Sequence, residues 1–343
     1  MTDAGFYRAF EDRYRGSREL ITERLRVYLP FIEGLKAALP GMGGVDLGCG
    51  RGEWLELLAS EGFGCRGVDL DKDMLAACVE RGLAAEHGDA IVWLQAQADA
   101  SLALVSAFHL VEHLPFDALH TIVAEAKRVL VPGGLLILET PNPENLAVGT
   151  ELFYLDPTHV RPVPSALLAF LLEYHGFARV RVLRLQHDPA LLLAKWLGAR
   201  ELVEGVSPDY AVISQSDGPE AVHSLFHEAF ALQDGVSRAA LADRHDRLVT
   251  GRFEQIESLI GSDLLASLAR RLDEAEVRRE AGKAKLEELA QRIETLEATA
   301  QQAAALASAL GEELSSVYGS RSWRATEPLR RLSVLAKKMR GTR

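Results

Sequence analysis

Between Gly44 and Trp54 the chain reads Gly-Val-Asp-Leu-Gly-Cys-Gly-Arg-Gly-Glu-Trp. A short apolar run climbs to a carboxylate, three glycines come at alternate positions, and a helical pattern begins at Glu53. A strand that turns directly into a helix needs backbone free of Cβ wherever a ligand lies against it. The helix start also presents N–H groups without intrahelical partners. This stretch therefore predicts strand, tight turn and helix, the first unit of an α/β sheet.

Asp46 decides what such a turn can hold. A dinucleotide site sets pyrophosphate on this helix start, and a carboxylate there repels it. Gly48, Gly50 and Gly52 also depart from the G-x-G-x-x-G spacing. A cationic ligand suits the turn better. S-adenosylmethionine, with its ammonium and sulfonium, is the cofactor these residues favour.

Further acids recur where strands should end. Cys65–Leu70 reads as a second strand, and Asp69 at its tip suits the two hydroxyls of an adenosine ribose. Met74, on the helix predicted from Asp71 to Arg81, is placed to pack on adenine. Asp89 closes a short third strand and either accepts from the adenine amino group or caps the helix 90–95. Ser101–Ala107 is apolar enough for a buried fourth strand, and His109 comes just after it. Helix 118–130 and strand 135–139 are next. Alternation of this kind makes a doubly wound sheet, with its ligand crevice beyond the carboxyl ends of the strands.

The ordered set Val45–Gly50, Gly67-Val68-Asp69, Gly88-Asp89, Val111–Leu114 and Leu130–Gly134 resembles the class I S-adenosylmethionine-dependent methyltransferases. The resemblance covers residues 1–216 and implies a seven-stranded Rossmann-like sheet, with late strands at 178–185 and 210–214. The arm from Phe6 to Ser17, the run Glu139–Asn145 and the run Leu155–Pro162 are further similar to the methyltransferase part of Gram-negative O-antigen chain-terminating enzymes. That likeness implies methylation at the non-reducing end of a surface polysaccharide. Some of those enzymes carry a kinase domain, whose motifs this chain lacks. A small-molecule O-methyltransferase and a scaffold with a methyltransferase-like fold are the alternatives.

Methyl transfer from a sulfonium is an in-line displacement, so positioning supplies much of the rate, and a protonated hydroxyl also profits from a base. Histidine, with an unperturbed pKa of about 6.5, is the natural choice. His109 leads, with His113 and His159 behind it. The span from Pro141 to Pro164 is long for a connecting loop and offers Tyr154, Asp156 and Arg161 to an acceptor. The hinge Tyr14–Ser17 offers Arg15 to the cofactor carboxylate. His109–His113 spells H-x-x-E-H, but a zinc protease needs that motif within a helix. No metal belongs to the expected set; a divalent ion on His109, Glu112 and His113 is a subsidiary reading.

The second half differs. A helical connector is expected over 217–264, then a coiled coil over 265–318 on an a/d series that includes Leu268, Leu272, Leu286, Leu310 and Leu314. The tail 319–343 carries eight basic residues against Glu327, with Trp323 among its apolar positions. It suits a membrane surface or a polymerase partner. The net charge of −11 argues against a nucleic-acid binder. Cysteines at 49, 65 and 78 lack metal spacing and suit a reducing cytoplasm. No signal sequence is read at the start. The expectation is a cytoplasmic homo-oligomer, peripheral at the inner membrane, that acts on a glycan.

Overall fold

The computed structural model describes residues 16–259, 262–328, 330, 331 and 334. Contacts divide the chain into two units between Arg252 and Phe253.

The first unit is built on seven strands: β1 Gly44–Leu47, β2 Cys65–Asp69, β3 Ala85–His87, β4 Leu102–Phe108, β5 Leu130–Pro141, β6 Arg179–Leu185 and β7 Asp209–Gln215. They lie in the order β3-β2-β1-β4-β5-β7-β6. β1 to β5 pair in parallel, whereas β7 runs antiparallel to β5 and β6. This is the expected sheet with β5 and β7 lengthened. β5 begins at Leu130 because its chain extends straight out of the helix Phe116–Val129.

Side chains alternate across a strand, and the alternation sorts the core into two layers. Val45, Leu47, Val105, Ala107, Leu136 and Leu138 face one layer with the helices Phe116–Val129 and Ser165–Tyr174. Leu104, Phe108, Leu135, Ile137, Ala211 and Ile213 face the other, which is filled by Tyr28, Phe31, Ile32, Leu35, Trp54 and Phe226. The same parity puts Asp46, Ser106, Glu139 and Asp209 on the second face.

The N-terminal segment supplies that layer. Ser17 caps the helix Arg18–Leu25 by accepting from Leu20 N. A 3-10 turn, Arg26–Tyr28, leads to a second helix, Leu29–Ala38. Pro30 occupies its first turn, where no N–H is missed, so the helix restarts there at little cost.

Two boundaries differ from the sequence reading. The span 141–164 is not a bare loop. It holds the helix Leu146–Thr150, capped by Asn145, and a 3-10 turn over Leu152–Leu155. The first unit also runs past residue 216, because Phe226, Ala229, Phe230 and Leu241 are buried in its layers.

In the second unit a single helix covers Ser262–Gly319, and a short one covers Arg321–Ala325. Arg330 lies over the Trp323 ring at 3.7 Å, and Tyr318 meets that ring edge-on. The basic residues beyond Arg331 lie outside the described residues. Among those described, no helix is long and apolar enough to cross a membrane.

Candidate active site

Where β1 ends, Gly48, Gly50 and Gly52 all take positive φ, at 69°, 53° and 78°. A Cβ on Gly52 would stand 2.7 Å from Cys78 Sγ and 2.8 Å from Leu83 Cδ1. Only glycine suits that combination of conformation and crowding. Gly48 N and Cys49 N both donate to Val68 O. Gly50 N donates to Asp69 Oδ2 at 2.8 Å, and Asp71 N donates to Oδ1 at 2.8 Å. The loop is therefore laid across the tip of β2, with the Asp69 carboxylate fixed on both sides. Two pinned oxygens retain further lone pairs, which suits a ribose diol.

Asp46 lies underneath. It is 2% exposed, and its Oδ1 accepts from Ser106 Oγ at 2.7 Å, whose oxygen in turn accepts from Trp54 Nε1. Its charge reaches the loop from below. Met74 is half-buried on the helix Lys72–Glu80. Asp89 caps the helix Ala90–Gln95, its Oδ1 accepting from Ile91 N and Val92 N. Of the two roles open to Asp89, the cap is the one its hydrogen bonds display. Arg15 lies outside the described residues. The helix that starts at Arg18 ties onto the loop: Arg18 Nη1 donates to Arg51 O, Arg18 pairs with Glu53 and Glu56, and Arg51 pairs with Glu53.

Beyond β4 come His109 and His113, and His159 packs against the second. His109 takes φ 54°, an uncommon state outside glycine. Its Nδ1 lies 3.2 Å from Glu112 Oε1 and its Nε2 3.4 Å from Glu139 Oε1, with 42% of the side chain exposed. Burial opposes charge on this ring, but hydrogen bonds with Glu112 and Glu139 outweigh it and hold the imidazole well above its ordinary range. The two carboxylates thus favour the protonated ring, which counts against His109 as the base.

His113 differs. Burial is the main influence, and it holds the ring below the ordinary range despite nearby Glu112. Its Nδ1 meets Thr158 Oγ1 at 2.9 Å, and that hydroxyl donates to Asp156 Oδ1 at 2.6 Å. With its proton committed to Asp156, Thr158 accepts from His113 Nδ1–H, which leaves Nε2 as the basic atom. His159 packs against His113, ring centres 4.7 Å apart, and its Nδ1 faces Phe153 O at 2.6 Å.

The residues expected to bind acceptor divide. Tyr154 is 62% exposed beside Phe153. Asp156 is occupied with Thr158, and Arg161 lies 4.9 Å over the Phe116 ring. The last two hold the rim together rather than offering themselves to a ligand.

The sequence reading misses several groups at this edge. Tyr28, fully buried, donates to Glu139 Oε2. Gln186 Nε2 approaches Glu139 Oε1 at 3.5 Å. Burial, opposed by His109 and aided by Glu139, pushes the Asp209 carboxyl up to about 6. The donor atoms of His109, Glu139 and Asp209 lie within 4.8 Å of one another, as do those of Glu112, His113 and His159. The set anticipated for a metal, His109 with Glu112 and His113, is thus divided between two groups.

A glycine turn against an acid at the tip of β2, and a seven-stranded sheet whose last strand in sequence is antiparallel, define a methyltransferase architecture. Residues 45–138 match the family model described as a methyltransferase domain. A solved S-adenosylmethionine-dependent methyltransferase from Archaeoglobus fulgidus is 34% identical with a TM-score of 0.54, over 62% of this chain and 100% of that one. A probable S-adenosylmethionine-dependent methyltransferase of Mycolicibacterium smegmatis is 33% identical over 149 residues, 43% of this chain and 56% of the relative. A ubiquinone biosynthesis O-methyltransferase of Methylococcus capsulatus is 32% identical over 112 residues, 31% of this chain and 46% of the relative. The chain spans about half the length of these curated relatives. It belongs to the class I S-adenosylmethionine-dependent methyltransferases, and S-adenosylmethionine is its cofactor.

Proposed function

We propose that the protein transfers the methyl group of S-adenosylmethionine to an oxygen of an acceptor held at the carboxyl ends of β4 and β5 and the start of β7. The cofactor supplies an electrophilic methyl on a good leaving group. The chain supplies a fixed place for it, through the glycine turn and Asp69, and a base beside it. The observation that carries the reading is the Asp156–Thr158–His113 chain, which leaves a half-buried imidazole with one basic nitrogen at the same sheet edge as the cofactor loop. His113 takes the hydroxyl proton as the oxygen takes the methyl. His109 sits between Glu112 and Glu139 at the same edge.

The acceptor we favour is a terminal sugar hydroxyl of a surface polysaccharide. An exposed aromatic, Tyr154, suits the apolar face of a pyranose. A small phenolic acceptor is the second reading. Exposed Leu152, Leu155 and Val160 on the same span favour it, as do relatives named ubiquinone biosynthesis O-methyltransferase. The helix Ser262–Gly319 would join copies through its apolar series, and the basic tail would dock on a membrane surface or a polymerase. The test is transfer of radiolabelled methyl to mannan-type oligosaccharides and, in parallel, to catechols. Label in base-stable sugar ether supports the first reading. Label in catechol alone moves the assignment to the second. Transfer undiminished by His113→Gln would overturn the proposed base.

A further inference from the structure

We propose that His109, Glu139 and Asp209 form a binding site for one divalent first-row cation at the acceptor edge of the sheet. They come from three different places, the turn after β4, the end of β5 and the start of β7, yet one donor atom of each lies within 4.8 Å of the other two. One imidazole and two carboxylates are a mixed nitrogen and oxygen set of the kind that holds Mn²⁺, Fe²⁺ or Zn²⁺.

The surroundings favour a metal over a chance cluster. Ligating histidines ordinarily donate their second nitrogen to a carboxylate, which fixes ring and tautomer. Here Glu112 Oε1 faces His109 Nδ1 at 3.2 Å, and Thr140 Oγ1 donates to Glu112 Oε2 at 2.8 Å. Nε2 is thereby directed at Glu139. Tyr28 donates to the far oxygen of Glu139, Oε2, and Oε1 faces His109, with Gln186 Nε2 at 3.5 Å. Among the described residues no Lys or Arg is hydrogen-bonded to Glu112, Glu139 or Asp209, and Arg24 acts on Asp209 only through space. Three acids thus share this edge with one imidazole, and a divalent ion would bring positive charge to them.

The second group, Glu112 with His113 and His159, is a weaker candidate. Glu112 is already held by His109 and Thr140, His113 by Thr158, and His159 by Phe153 O. With His109 partly exposed, the first group leaves coordination positions open toward an acceptor. A hydroxyl bound there would lose its proton more readily, and its oxygen would then take the methyl as the carbon–sulfur bond breaks and neutral S-adenosylhomocysteine leaves.

The test uses the full chain, metal-stripped, and Mn²⁺ alone as the probe, read by electron paramagnetic resonance, with Zn²⁺ as competitor. It needs no acceptor, so its failure is separable from failure of the transfer reaction. One Mn²⁺ per chain is expected. Asp209→Asn and Glu139→Gln should each weaken binding at least tenfold, and Glu112→Gln about 10–100-fold through the ring it orients. His109→Gln, at a partly exposed position, serves if the buried variants do not fold, and should also abolish the site. Retained cofactor binding reports that each variant is folded. No bound ion in the folded wild type, or binding removed by His159→Gln but not by His109→Gln, overturns the proposal.

Discussion

At the scale of single residues, position in the sheet edge matters more than residue type. His109 and His113 are four residues apart in sequence, yet one is raised by two carboxylates and the other lowered by burial. The consequence for His113 has a definite sign. Its folded value lies below the unfolded one, so its neutral form stabilises the protein above the unfolded value of about 6.5 and that contribution is lost as pH falls through the folded value. Urea melts of His113→Gln and of the parent should therefore show a smaller loss between pH 7.5 and pH 5 in the variant. An equal loss in both would refute the half-buried neutral ring. Gly52 makes a second case. Gly52→Ala must put a Cβ against Cys78 and Leu83 at φ 78°, at a cost of about 1–3 kcal/mol. A lowered thermal midpoint with weakened cofactor binding is expected, and an unchanged midpoint would show that the turn can relax.

Individual elements carry their own ties. Glu144 joins the span after β5 to β6 through a two-pronged pair with Arg184, at 3.0 and 2.6 Å, and Asp234 holds the third guanidinium nitrogen at 2.8 Å. Hydrogen bonding from Arg184 keeps Glu144 below the usual carboxylate range. Its stabilisation is present above the unfolded value of about 4.3 and disappears as pH falls through the folded one. The pair is partly exposed, so Glu144→Gln should cost about 1 kcal/mol at pH 7, and in denaturant melts the gap to wild type should narrow steadily as pH falls below the unfolded value. A gap independent of pH would place the cost elsewhere. The elements themselves are largely legible in the sequence. Asp46 and Asp69, in β1 and β2, show as carboxylates that close short strand-like runs. Asp209 is not legible, because it starts its strand, and only an antiparallel β7 brings a strand's beginning to the carboxyl edge of the others. Tyr28 is hidden for a related reason: periodicity shows that it is buried, but not which acid it meets across the sheet. Thr158 looks like an ordinary turn residue, since its link to His113 spans 45 positions.

For the whole molecule, two units with different compositions ask for different tests. The helix Ser262–Gly319 exposes Leu272, Leu286, Leu310, Leu314 and Val317. A heptad series of this kind is expected to pair with another copy. Light scattering on the eluted full chain should give a multiple of 37.5 kDa, and replacing Leu310 and Leu314 with Asp should return it to that mass. A monomer at high micromolar concentration would contradict the pairing. The first unit buries a core of its own, with residues up to Leu241.

In the proposed reaction the glycine turn and Asp69 form the seat for S-adenosylmethionine, and every later step depends on that seat. Calorimetric titration of the full chain with that compound tests it directly, with Asp69→Ala beside Asp89→Ala. One molecule bound per chain, at least tenfold weaker after Asp69→Ala through loss of charge-assisted hydrogen bonds of about 1.5–3 kcal/mol, is the predicted result. A folded wild type that takes up no S-adenosylmethionine, or binding that Asp69→Ala leaves unchanged, would contradict it.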